Sequence, residues 1–193
     1  MEIPRPSKEQ VQKYQDKWDS LENYYLQESS LKKLFTKTYP KNRSMDDILV
    51  KVCTLNDFYS TNIFSPFKVA KHILELDIDK RLKKGDLTLV NDIANIQVND
   101  QKRIVFYSFA TKYCSHHRPL IYPIYDSFVE KVLMYFKRKD RFYDFSKSDL
   151  KTYAKYTDIL NQFRIYYGLK DFNLKEIDKY LWQLGKEYFP KKY

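Results

Sequence analysis

Asp126 is the residue of this chain best placed to do chemistry. It closes the run Arg118-Pro-Leu-Ile-Tyr-Pro-Ile-Tyr-Asp126, in which Pro119 and Pro123 stiffen an extended, apolar approach. A helix is predicted to follow at once, because Val129, Val132, Leu133 and Phe136 recur at i, i+3, i+4 and i+7. A carboxylate at that point has two readings. It is an N-cap, accepting from the first free N–H groups of the helix. Or it is a catalytic acid, kept ionised by the helix macrodipole and able to stabilise a developing cation or orient a water.

Other side chains offer chemistry of their own. Lys112 borders the apolar stripe of a predicted helix. A lysine partly buried near a carboxylate can act as a nucleophile, and the plain alternative is a snorkelling or ion-paired side chain. Ser60, Thr61 and Asn62 put short polar groups in a turn between two helices, a shape suited to entering a nucleic-acid stack or to ordinary turn chemistry. His116 and His117 are adjacent, so on a helix they point apart. With Cys114 nearby but no third ligand at suitable spacing, no metal site is expected. Contact with a phosphate or a base is the alternative for this pair. Lys137, Arg138, Lys139 and Arg141 end the Asp126 helix as a basic run, suited to phosphate contact or to a solvated helix end.

The elements that must position these groups read as helices. Ser7 starts a capping box. A long polar-aromatic helix should follow, breaking near Ser29 and Ser30 and ending before Pro40. Ser44 opens a helix with Ile48, Val52, Leu55 and Tyr59 on one face. Ser65 and Pro66 start another, with Val69, Ile73 and Leu76 as its stripe. Gly85 marks a turn with a short helix after it. Phe106, Phe109, Ala110 and Tyr113 mark the Lys112 helix. Tyr156, Leu160, Phe163 and Tyr167 mark one that stops at Gly168, and Asn173 and Glu176 cap the last. The expected class is an all-α array of about eight to ten helices. The expected organisation is one domain over 1–193, with an N-terminal helical extension at 1–43 and a core at 44–193.

Composition narrows the partners. Lys and Arg total 35 against 25 Asp and Glu, a net charge of +10, which suits a polyanion such as nucleic acid. Aromatics are 17% of the 193 residues, and 18 of them are Tyr, so lysines and stacking surfaces are interleaved. A Lys- and Tyr-rich chain with an ordinary solvated surface is the alternative. The three glycines, Gly85, Gly168 and Gly185, exclude glycine-rich phosphate loops and β folds with many tight turns. Two cysteines, Cys53 and Cys114, read as buried free thiols. The opening residues carry no signal-peptide core and no apolar run reaches membrane-spanning length, so the cytoplasm is the expected compartment.

With these residues placed, a resemblance enters. Pro123-Ile-Tyr-Asp126-Ser-Phe-Val129 resembles the Pro-Val-Asp-x-His-Val segment of helix-hairpin-helix DNA glycosylases. In those enzymes the Asp is the catalytic acid at a helix start. Tyr59-Ser-Thr61-Asn62-Ile63 resembles the turn they push into the duplex, above all in the 8-oxoguanine branch. Ser108 to Tyr113 and Ile177 to Lys186 resemble segments of a divergent bacterial group of 8-oxoguanine-glycosylase-like proteins. The similarity runs from about residue 49 to 186. The chain departs from the family pattern at the hairpin, where Asn99-Asp-Gln-Lys102-Arg103-Ile-Val replaces the glycine-containing loop ahead of a helix placed at 104–114. Lys112 lies about two helical turns past the family's nucleophilic lysine.

The resemblance implies a DNA glycosylase acting on double-stranded DNA in a bacterial cytoplasm, nucleoid-associated, monomeric and without cofactor or metal. Asp126 would be the catalytic acid, with Lys112 a weaker nucleophile candidate. Ser60, Thr61 and Asn62 would fill the gap as a base flips out. Tyr122, Tyr125, His116 and His117 would line the base pocket. Lys102, Arg103, Lys137, Arg138, Lys139 and Arg141 would hold phosphates. Base release with little or no strand cleavage is expected, in repair or in defence against phage DNA carrying modified bases. A catalytically silent DNA-binding module is the alternative. A nuclease or toxin using His116, His117 and Lys112 is a weaker third.

Overall fold

The computed structural model describes residues 2–99 and 102–190, with the side chains of Val98, Asn99 and Lys102 outside the description. Within these residues the chain is all-α, with ten α-helices and one two-stranded hairpin. Its contacts divide it into two compact units, Met1–Tyr25 with Tyr125–Tyr193, and Leu26–Ile124.

The first unit packs α1 (Lys8–Trp18), α8 (Ser127–Asp140), α9 (Tyr153–Tyr166) and α10 (Leu174–Tyr188). Ser7 caps α1 by accepting from the Gln10 N–H at 3.2 Å. Asn173 and Glu176 complete the capping box of α10. α10 buries Ile177, Tyr180, Leu181 and Leu184, a 3.6-residue stripe, and carries Gly185 against α8. Gly168 follows α9 with φ +66°, the left-handed turn that glycine adopts without Cβ strain.

α2 (Glu22–Lys33) leads into the second unit, which holds a π-helical turn at Leu34–Thr38, α3 (Met45–Tyr59), α4 (Pro66–Glu75), α5 (Asp79–Lys84), α6 (Thr88–Ala94), β1 (Asn95–Asn99), β2 (Lys102–Val105) and α7 (Tyr107–His117). Its core joins Val52, Leu55, Ile73, Ile93, Phe109 and Tyr113, all fully or almost fully buried.

Several expectations are corrected. The first long helix breaks at residues 19–21, where the Ser20 hydroxyl and N–H both return to the Lys17 carbonyl, and not at the exposed Ser29 and Ser30. Cys53 lies exposed on α3, because the buried stripe of that helix passes through Val52 and Leu55; Cys114 is buried as expected. The segment before α7 is an antiparallel hairpin pairing Ile96 with Ile104 and Gln97 with Arg103, so the helix placed at 104–114 begins only at Tyr107. Ile96 and Ile104 face each other in this ladder, and β-branched residues suit strands. The run at 118–125 opens with a turn, in which the Ile121 and Tyr122 N–H groups both reach the Arg118 carbonyl at 3.0 Å; the irregular stretch that leads into the next helix is residues 123–126.

Candidate functional site

In the first unit Asp126 is the N-cap of α8. Its backbone is extended, with φ −138° and ψ 153°. Its Oδ1 accepts from the Phe128 N–H at 2.8 Å, and its carbonyl accepts from the Glu130 N–H at 2.9 Å. A carboxylate so held is aimed by the helix start, and α8 places a partial positive charge beneath it. Tyr125, the preceding residue, is buried. Its hydroxyl donates to Glu130 and accepts from Lys151. A phenol engaged on both sides stacks on a flipped base only if that arrangement opens.

The basic run at the far end of α8 is unequal. Lys137 donates to the Phe145 carbonyl and pairs with Asp144 at 3.4 Å. Lys139 pairs with Glu2 at 2.6 Å. Arg138 is exposed, as is Arg141, which ends the helix in a left-handed conformation with φ +50°. The two arginines are therefore the better presented members of the run, and a guanidinium offers a planar fork to an anion.

In the second unit α7 carries Lys112, His116 and His117. Lys112 is buried rather than at the edge of the stripe, 3% exposed. Its Nζ donates to Ser108 Oγ at 2.6 Å and lies 5.1 Å from the Tyr59 ring centroid. His116 Nε2 meets the Tyr59 hydroxyl at 3.0 Å. His117 Nε2 meets Asn42 Nδ2 at 3.2 Å, which makes the ring nitrogen the acceptor. The His117 ring packs against Phe35 and Tyr113. Withdrawal from water, followed by the charges of Lys51 and His116, pulls its pKa down to about 3. Tyr122 is fully buried, and its hydroxyl donates to the Asp86 carbonyl at 3.2 Å.

Asn42 is the centre of this region and was not anticipated from the sequence. Its N–H and Nδ2 donate to Asp79, and its Oδ1 accepts from Lys51 Nζ and the Tyr113 hydroxyl, both at 2.6 Å. Lys51 is fully buried and also donates to the carbonyls of Tyr39 and Lys41. Burial lowers its pKa to about 8, against the opposing pull of Asp79 and Asp47. The available signal was spacing: Lys51 falls three residues after Ile48 and four before Leu55, on the buried face of α3.

The turn after α3 is held by side-chain hydrogen bonds. Ser60 and Asn62 are left-handed, with φ +47° and +58°. Asn56 Oδ1 accepts from the Thr61 hydroxyl and the Ile63 N–H, each at 2.9 Å, and Ile63 is buried beneath. Thr61 thus turns inward, while Ser60 and Asn62 stay exposed. Phe64, a residue sequence reasoning missed, projects from this anchored turn at 92% exposure, and Phe67 follows at 60%. Arg103 is exposed on β2, its Nε donating to Gln97 at 3.4 Å. Lys102 begins β2, and its side chain lies outside the described residues.

Asp126, Tyr125 and the basic run thus belong to the first unit. Lys112, His116, His117, Tyr122, Arg103 and the 60–62 turn belong to the second. Among the described residues no group of three or more His, Cys, Asp or Glu is placed to hold a metal ion, and no helix is long and apolar enough to cross a membrane.

Comparison with known proteins gives two matches. The family HI_0787_N, described as an N-terminal domain, matches residues 10–121. An uncharacterized protein of Haemophilus influenzae is 50% identical over 148 residues, covering 76% of this chain and 70% of that protein. No solved structure matches the chain.

Proposed function

We propose a base-excising activity for this chain, which belongs to the HI_0787_N family. On this reading it is a DNA glycosylase of the helix-hairpin-helix type. It hydrolyses the N-glycosidic bond of a damaged or modified base, in repair or in defence against modified phage DNA. The observation that carries the reading is the Asp126 carboxylate, fixed at the start of α8 by the Phe128 N–H in the segment that resembles the glycosylase acid.

The steps follow from this chain's own groups. Exposed Arg138, Arg141 and Arg103, on a chain of net charge +10, hold phosphates. In the second unit, considered by itself, the anchored 60–64 turn is the proposed point of entry into a duplex. The departing base takes the bonding electron pair, leaving an oxocarbenium-like sugar that the Asp126 carboxylate stabilises. Asp126 also orients the water that adds to C1′; the water's proton passes to solvent or to the base. Lys112, held by Ser108, has no part in this scheme, so strand cleavage is not expected.

A catalytically silent DNA-binding module on the same scaffold is the second reading. The pairing of β1 with β2 favours it, because these strands stand where helix-hairpin-helix glycosylases carry a glycine-containing loop, and so does the burial of Tyr122. A panel of lesion-bearing duplexes and modified phage DNA, assayed for abasic sites with and without alkali, separates the two. Abasic product on at least one substrate supports the glycosylase. Salt-dependent binding without product on all of them supports the silent module.

A further inference from the structure

Asp126 is flanked by a cluster that a helix cap does not require. Glu130, one turn into α8, has a side chain only 12% exposed. It accepts from the Tyr125 hydroxyl, pairs with Lys147 at 2.9 Å and lies 3.7 Å from Lys151. Lys151 closes the loop: its ammonium donates to the Tyr125 oxygen and stands 3.9 Å from that ring's centroid. Tyr156 packs edge-on against the same ring, centroids 5.7 Å apart at 75°. Tyr125 is thus fixed by a donor, an acceptor, a cation and a ring.

The placement of these groups is informative. Tyr125 is bonded directly to Asp126, and Glu130 hydrogen-bonds the Asp126 carbonyl through its own N–H. Both ends of the 125–130 segment are therefore pinned to one side-chain cluster, with Asp126 between them. Burial works to raise the Glu130 pKa, and the hydrogen bonds from Tyr125 and Lys147 with the Lys151 charge outweigh it, so Glu130 stays an ionised acceptor. Glu130 is the withdrawn member of the cluster, while the Lys147 and Lys151 side chains are 68% and 51% exposed, so these ion pairs add little net stability and their part is to define geometry.

We propose that Tyr125, Glu130 and Lys151 are positioning residues that clamp the Asp126 carboxylate in its cap geometry. Lys151 and Glu130 act through Tyr125, and none of the three needs to touch the reacting atoms. The catalytic consequence rests on the glycosylase reading above; the clamp itself does not.

The test uses the full chain without DNA. Hydrogen exchange of the Phe128 amide reports how firmly Asp126 accepts from it. In Tyr125→Phe and Lys151→Met this amide should exchange about tenfold faster than in wild type, and Lys151→Arg should restore most of the protection. Tyr125→Phe removes one oxygen only, so it keeps the test available if Lys151→Met fails to fold. Unchanged Phe128 exchange in Tyr125→Phe overturns the clamp. With a cleavable duplex, the same variants should lose kcat while KM holds. If wild type releases no base from any duplex, the glycosylase reading fails and the exchange result still decides the clamp.

Discussion

Gly185 of α10 lies so close to Phe128 of α8 that a Cβ added to the glycine would stand 2.7 Å from both the Phe128 Cβ and its carbonyl oxygen. Phe128 is also the residue whose N–H holds the Asp126 carboxylate. The close approach of the two helices therefore sets the first turn of α8, and with it the aim of the acid. Glycine is required here for contact, since its backbone is ordinary helix.

Gly185→Ala tests that relationship. Alanine exceeds glycine in helix propensity by about 1 kcal/mol, which alone would stabilise α10. The steric cost of forcing α8 away, about 1–3 kcal/mol for an overpacked contact, should dominate. Urea unfolding is expected to show net destabilisation, together with faster exchange of the Phe128 amide. A more stable variant would mean that the two helices separate freely at this point.

The buried His117 gives the fold an acid-sensitive element. Its folded pKa, about 3, lies below the ordinary value of 6.5. The unfolded chain therefore takes up a proton between these values that the folded chain does not. The stabilisation is complete above about pH 6.5 and is lost as pH falls toward 3, by about 1.4 kcal/mol per unit. His117→Gln removes the titrating group and keeps an acceptor for Asn42. Urea midpoints of the variant should decline less steeply than those of wild type between pH 6.5 and 4. Parallel declines would show that His117 is protonated without cost.

Phe64 should matter to DNA and not to folding. At 92% exposure its side chain contributes almost no buried area, while the Asn56 anchor keeps it pointing outward. Base–aromatic stacking is worth about 1–3 kcal/mol, so Phe64→Ala should weaken duplex binding about tenfold with an unchanged melting temperature. Titration at fixed salt checks it. Unaltered affinity would show that the Phe64 ring does not stack on a base.

Much of the fold was legible because its signals are local. Ser7, Asn173 with Glu176, and Gly168 mark helix ends through side-chain and φ chemistry that nearby residues complete. The Asp126 cap was legible for the same reason. What escaped depends on distant partners. The sequence has no glycine between β1 and β2, and their short apolar runs fit strand or helix until Phe106 N–H meets the Ala94 carbonyl. Lys51 is readable on the buried face of α3, but its carbonyl cage comes from residues 39–42. The Gly185–Phe128 contact joins residues far apart in sequence, and spacing carries no trace of it.

The most direct test of the central claim is base release by Asp126→Asn. Asparagine caps helices as well as aspartate does, so the fold and the Phe128 hydrogen bond should persist while the charge is lost. Single-turnover excision on the best duplex from the lesion panel is expected to slow by about a hundredfold or more, with duplex affinity within about twofold of wild type. Excision by Asp126→Asn at the wild-type rate would contradict the assignment of Asp126 as the catalytic acid.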